Sequence, residues 1–313
     1  MKTFLSCFGL AMLFALAGCN SAYRTTAREL GIYDADRTIE GHEVTLKTSR
    51  KLPIQTLQFT IGQRPALIDG VSYYLNKPAG YRDLSSEDIQ MLRKALLTPV
   101  HKKAKLNILV DPGHGGSDSG CRSASGTVHE QVITLAIARE VQAQLKAMGH
   151  HANLTRPDER TTRTLDERTL LGASLGIDAF VSIHVNASAN PEAKGVETYT
   201  LPAFGCEGTL PNSPPRGPLV GHAYLPPSTR LAYYVQKALL DTTQPPPYPQ
   251  PADRGVRHAH FKVLRDTPAP SILIEIGFMT NAEDFARITD ATAQKEIARR
   301  IVQGIVQGIV RAF

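Results

Sequence analysis

From residue 105 onward, short apolar, β-branched runs alternate with stretches of helical period, and this alternation constrains the fold more than any other feature. "LNILV", "HANLT", "AFVSIHV", "GVETYTL" and "SILIEIGF" read as strands. Between them, "EQVITLAIAREVQAQLKAMG" repeats Ile133, Ile137, Val141 and Leu145 at helical spacing and closes on Gly149. "TLDERTLLGASLG" and "TRLAYYVQKALLD" read as further helices. Strands that are apolar on both sides need cover on both faces. The expected class is therefore α/β, a mostly parallel twisted sheet with helices on both faces. In such sheets the chemistry gathers beyond the carboxyl ends of the strands. "RRIVQGIVQGIV" holds Gly304 and Gly308 at GxxxG spacing, but Arg299, Arg300, Gln303, Gln307 and Arg311 interrupt any membrane span. The expectation there is close packing at the glycines, with Ile301, Ile305 and Ile309 facing the sheet.

Upstream, residues 41–104 read as a small β-rich accessory domain: "HEVTLKTS", "IQTLQFTIG" and "RPALIDGVSYYLN" are strand-like, with a hairpin turn at Asp69-Gly70. "LSSEDIQMLRKALL" reads as a helix capped by Ser85 or Ser86. No ligand cluster marks this piece, which is either a wall-binding module or a spacer. Residues 19–40 lack a period and read as a tether. Residues 1–18 form a secretory signal: Lys2, then an apolar run from Phe4 to Ala17, then Leu16-Ala17-Gly18-Cys19. These last residues resemble a bacterial lipobox, which implies cleavage before Cys19 and acylation of its thiol.

A net charge of +6 suggests an acidic partner, yet the absence of Trp and 6% aromatic content argue against nucleic acid. An anionic membrane or cell-wall polymer fits better. In an exported chain Cys121 and Cys206 are candidates for a disulfide, with two free thiols as the alternative.

Four polar residues interrupt otherwise apolar or glycine-rich surroundings. His114 follows the first strand in "ILVDPGHGG", Glu130 opens the next helix, His184 stands in "SIHVNA", and Glu275 in "LIEIGF". A carboxylate between Ile274 and Ile276 is costly to desolvate unless a cation or donor meets it. All four have a route to one rim of the sheet. Two histidines and a carboxylate make a catalytic zinc set with an open position for water, and a second, unligated glutamate would carry the proton. Glycines around His114 would let it approach the metal and leave room for a bulky substrate.

At these residues the chain resembles the zinc-dependent N-acetylmuramoyl-L-alanine amidases of the AmiC-like type. "ILVDPGHGGSDSG", "HEQVITLAIA", "LTRPDERTTRTLDER", "FVSIHVNA", "DRGVRHAHFKVLR" and "ILIEIGFMTN" follow one another as that family's motifs do, across a catalytic domain of residues 105–313. The resemblance implies one zinc ion on His114, Glu130 and His184, with Glu275 as catalytic acid/base. It implies hydrolysis of the amide between N-acetylmuramic acid and L-alanine in peptidoglycan, serving wall remodelling, daughter-cell separation or recycling. Asn186, Arg254 and Arg257 are candidate substrate contacts, the arginines through stem-peptide carboxylates. The expected partners are peptidoglycan, the lipid bilayer through Cys19, and an activator protein. The expected location is the cell envelope, lipid-anchored on the periplasmic face, at the outer membrane in a diderm.

Residues 202–227 depart from the family pattern. They are too rich in Pro and Gly for the helix with which some relatives plug the site, so a loop is expected. His222, His258 and His260 are rival ligands, more simply read as solvated loop residues. Two competing functions share the sequence: a zinc peptidase acting within the stem peptide, and a silent wall-binding scaffold.

Overall fold

The computed structural model of the chain describes residues 24–30, 36–48, 54–81, 83–98, 103–241 and 250–310. The signal segment 1–18 and the lipidation site Cys19 lie outside the described residues. Downstream of residue 104 the strands are β6 (Asn107–Pro112), β7 (His151–Leu154), β8 (Ala179–Asn186), β9 (Val196–Thr200), β10 (Asp253–His258) and β11 (Ser271–Phe278). They lie side by side in the order β10-β9-β11-β8-β6-β7. Every neighbouring pair is parallel except β9 with β11. The mixed, mostly parallel sheet expected from the apolar runs is therefore present. Strand β10 is not announced by the sequence, because "DRGVRH" offers one apolar residue, Val256, and a glycine at φ 88°.

Alternate residues of these strands enter two cores. Ile108, Val110, Val181, Ile183, Ile272 and Ile274 meet helices α3 (Glu130–Ala147), α5 (Leu225–Leu239) and α8 (Ala291–Val310). Leu109, Phe180, Leu273 and Tyr199 meet Val263 and Leu264 of α6 (Lys262–Asp266), with α4 (Leu165–Leu175) at the margin, and α7 (Ala282–Thr289) links β11 to α8. The stripe Ile133, Ile137, Val141 and Leu145 is buried as its spacing required. Ile301 and Ile305 are fully buried, and a Cβ on Gly304 would lie 2.4 Å from Val235 Cα. The GxxxG spacing thus serves the contact between α5 and α8.

The Pro/Gly-rich insertion is not irregular throughout. Val220–Tyr224 forms a 3-10 turn that leads into α5 at Leu225. Pro226 and Pro227 sit in that helix's first turn, where a missing N–H removes no intrahelical bond.

Upstream, helix α1 (Arg24–Glu29) precedes β1 (Asp36–Glu40), β2 (Glu43–Lys47), β3 (Thr56–Thr60), β4 (Pro65–Ile68) and β5 (Val71–Tyr74). The five strands form an antiparallel meander, turned between β4 and β5 by Asp69 and Gly70 at φ 48° and 80°. The helix α2 (Ser86–Leu92) is capped by Ser85, which accepts from Asp88 N. Within the stretch expected as a tether, α1 and β1 are ordered elements. The wholly buried Leu30 anchors the first, and pairing with β2 holds the second. Tyr73 of β5 pairs in parallel with Val256 of β10, so eleven strands make one sheet. Leu46, Leu57 and Tyr73 share a core with Val110, Ile183 and Ile274.

Candidate active site

The loop after β6 is held by two buried arginines. Arg168 Nη1 pairs with Asp111 at 2.6 Å and donates to the Pro112 carbonyl, while its Nη2 donates to the His114 carbonyl at 2.7 Å. Arg156, fully buried, donates to the carbonyls of Pro112, Gly113 and Gln131. Burial would raise the Asp111 pKa, but Arg168 and the Thr155 and Ser182 hydroxyls hold it below the usual carboxylate range. Burial lowers the Arg156 pKa to about 10, which leaves the group charged at neutral pH. This clamp keeps His114 at φ 61°, a backbone conformation that a non-glycine residue holds only when its surroundings enforce it.

So placed, His114 Nε2 lies 3.0 Å from Glu130 Oε2, and His184 Nδ1 lies 3.0 Å from Glu130 Oε1. One donor atom from each of the three lies within 4.8 Å of the others, the one such cluster among the described residues. Glu130 is fixed at the start of α3, its oxygens also accepting from Val185 N and Cys121 N. Burial would raise its pKa, yet the two imidazoles draw it well below the usual range. For His114, burial opposes protonation, but Glu130 and Asp118 outweigh it and raise the pKa. Asp118 Oδ2 sits 2.8 Å from His114 Nδ1 and orients the ring from behind. The glycines have a more specific purpose than room for substrate. A Cβ on Gly113 would come 2.4 Å from the His184 ring, and one on Gly120 would come 2.5 Å from Glu130 Oε2.

Strand register brings in the remaining acid. Glu275 of β11 stands opposite His184 of β8 on one side and Glu197 of β9 on the other. Its Oε2 is buried and has no hydrogen-bond partner among the described residues, which suits a group that meets a metal-held reactant. Burial, then the nearby Glu130 and Glu197, push its pKa well above the carboxylate range. A two-imidazole, one-carboxylate donor set, side chains packed into glycine hollows, and an orphaned carboxylate oxygen together fit a catalytic metal ion.

Sequence reading singles out none of Asp111, Asp118, Arg156, Arg168 or Glu197. Only Glu197 carried a usable signal, an acid within the strand "GVETYTL" like that of Glu275. It gathers the three candidate substrate contacts: Asn186 Nδ2, Arg254 Nε and Arg257 Nη1 all donate to it. Cys121 and Cys206 are free thiols, packed against opposite cores, so no disulfide pins the insertion. His258 is no solvated loop residue: it is 1% exposed, between Thr200 and the Tyr74 carbonyl. His222 and His260 bond to Leu219 N and the Ser213 hydroxyl, and neither belongs to the metal cluster.

A family model described as N-acetylmuramoyl-L-alanine amidase matches residues 108–307. The uncharacterized protein YqiI of Bacillus subtilis is 32% identical over 198 residues, spanning 63% of this chain and 82% of its own length. The N-acetylmuramoyl-L-alanine amidase AmiC of Neisseria meningitidis is 32% identical over 223 residues, 64% of this chain and 52% of that protein. The chain thus spans about half the length of that relative. Among solved structures, the amidase AmiC2 of Nostoc punctiforme aligns with a TM-score of 0.53 at 32% identity, covering 66% of this chain and 98% of that one.

Proposed function

Because this chain belongs to the N-acetylmuramoyl-L-alanine amidase family, we propose that it hydrolyses the muramoyl–alanine amide of peptidoglycan with one zinc ion held by His114, Glu130 and His184. Two imidazoles and one carboxylate are a donor set of catalytic zinc sites. Zinc, when bound, supplies Lewis acidity that polarises a carbonyl and acidifies water. The protein's own groups do the rest. Asp118 fixes the His114 ring, and the arginine clamp fixes its backbone. Glu275 takes the attacking water's proton on Oε2 and returns it to the departing alanine nitrogen. Its apolar strand and the two neighbouring carboxylates favour its holding that proton. The single observation that carries this reading is the unpartnered Glu275 oxygen beside the His114–Glu130–His184 cluster.

The cell-wall substrate puts the work in the cell envelope. Acylation of Cys19 would hold the enzyme on a membrane there, facing the wall from the periplasmic side, and an activator protein is a further partner of this reading. No helix among the described residues is long and apolar enough to cross a membrane. The chemical test is a digest of purified peptidoglycan by the zinc-loaded protein, with products read by mass spectrometry. Uncut stem peptides bearing a free L-alanine amine are expected. Peptides cut internally would transfer the assignment to a peptidase, and no soluble product at all would leave a wall-binding scaffold.

A further inference from the structure

Beside the metal cluster the cleft has a second charged wall. Glu197 stands one strand from Glu275 and two strands from His184, at the same level of the sheet and on the same face. It is 1% exposed and saturated by four donors. Asn186 Nδ2 and the Tyr199 hydroxyl donate to Oε1, at 2.9 and 2.8 Å. Arg254 Nε and Arg257 Nη1 donate to Oε2, at 2.9 and 2.8 Å. A buried acid is thus shared by two guanidinium groups, which leaves one positive charge in surplus.

The two arginines are not equivalent. Arg257 is 16% exposed, lies over the Tyr74 and Tyr199 rings, and donates to the Thr209 carbonyl. Arg254 is 31% exposed, with its guanidinium 4.7 Å above the Phe278 ring. Only its Nε is engaged, and among the described residues its terminal nitrogens have no partner. A planar fork, stacked on one side, anchored at one nitrogen and open at the others, is preorganised for a planar anion. The portion of the substrate that brings carboxylates to this cleft is the stem peptide.

We propose that Glu197 is a positioning residue that fixes Arg254 and Arg257 as a carboxylate-reading wall, with Arg254 making the contact to the stem peptide. The inference rests on the amidase reading of the same cleft. It adds a substrate preference: a free carboxylate on the residue following L-alanine is favoured over a carboxamide. Arg257 supplies the balancing charge that allows Glu197 to be buried, and Asn186 and Tyr199 set the direction of its carboxylate.

The test uses two synthetic muramoyl-L-alanyl peptides that differ only in carboxylate or carboxamide at that residue. The ratio of their kcat/KM values is measured with the zinc-loaded full chain, with Arg254→Gln and with Glu197→Gln, alongside zinc content and Tm. The unaltered protein should favour the carboxylate by about tenfold, as expected for a charge-assisted bidentate contact. Arg254→Gln should bring the ratio close to one, chiefly through KM, with zinc content unchanged. Glu197→Gln should compress the ratio in the same direction. A merely structural Glu197 would lower Tm and leave the ratio untouched, which would overturn its positioning role. Equal use of both peptides by the unaltered protein, or an undiminished preference in Arg254→Gln, would overturn the inference. Calorimetric binding of both peptides to Glu275→Gln reads the preference without turnover. Turnover of neither peptide would therefore count against the amidase reading, while the binding preference still decided the carboxylate site.

Discussion

Strands β9 and β11 each carry a glutamate at the same level of one sheet, and the two carboxyls live in opposite conditions. Glu197 accepts from four donors and is closed to solvent. Glu275 keeps a buried oxygen with no partner among the described residues. A saturated carboxylate has no lone pair left for a reactant and acts as framework. A bare one is a standing cost that folding accepts where chemistry needs it. One side of the cleft is therefore built to hold position, and the other to move a proton.

The largest expected effect tests the bare side. Glu275→Gln should lower hydrolysis by about 10³-fold while elemental analysis finds zinc retained. Its zinc-free form should melt no lower than the parent, because an unpartnered acid has been removed. Turnover near the parent level would strip Glu275 of its role. His184→Ala should lose both activity and metal, and it separates the ligand from the base: zinc still bound at full stoichiometry would break the proposed set.

The saturated side should respond through stability. Glu197→Ala leaves Arg254 and Arg257 facing each other without a counter-charge, and loss of one member of such a buried network costs about 3 kcal/mol. Urea midpoints measure it. A loss below about 1 kcal/mol would mean that solvent serves the arginines as well as Glu197 does, and the contrast between the strands would fail.

A graded effect of similar size comes from the next strand. Burial lowers the His258 pKa to about 4, below its ordinary value, so the unfolded chain binds the extra proton first as pH falls. Stability is then full above about pH 6.5 and drains away toward pH 4, by about 3 kcal/mol in all. His258→Gln should flatten that acid-side slope in urea midpoints taken at several pH values. An unchanged slope would assign it to other groups.

His114, Glu130, His184 and Glu275 were legible because each violates its local pattern. A histidine among glycines and an acid between isoleucines are costly whatever they pack against. Glu197 violates the pattern too, but Thr198, Tyr199 and Thr200 soften the contrast in "GVETYT". The arginine clamp left no local trace. Arg156 and Arg168 reach carbonyls 25 to 56 residues away, and an arginine in "TRPDER" or "LDER" looks like any solvated charge. The α1 helix and strand β1 were hidden for a related reason. Neither is periodic enough alone, and their order comes from a buried Leu30 and from pairing with β2.

What the sequence determined by itself was the alternation of strand and helix from residue 105 and the four residues that break it. Both are statements about which side chains tolerate water, and a short window of chain contains them. The tertiary structure alone decided that β5 would dock on β10, that β9 would run against β11, and which of two neighbouring acids would be satisfied. Hydrogen-bond partners arrive from strands distant in the chain, so the cost of burying a polar group is settled only when the neighbours are in place.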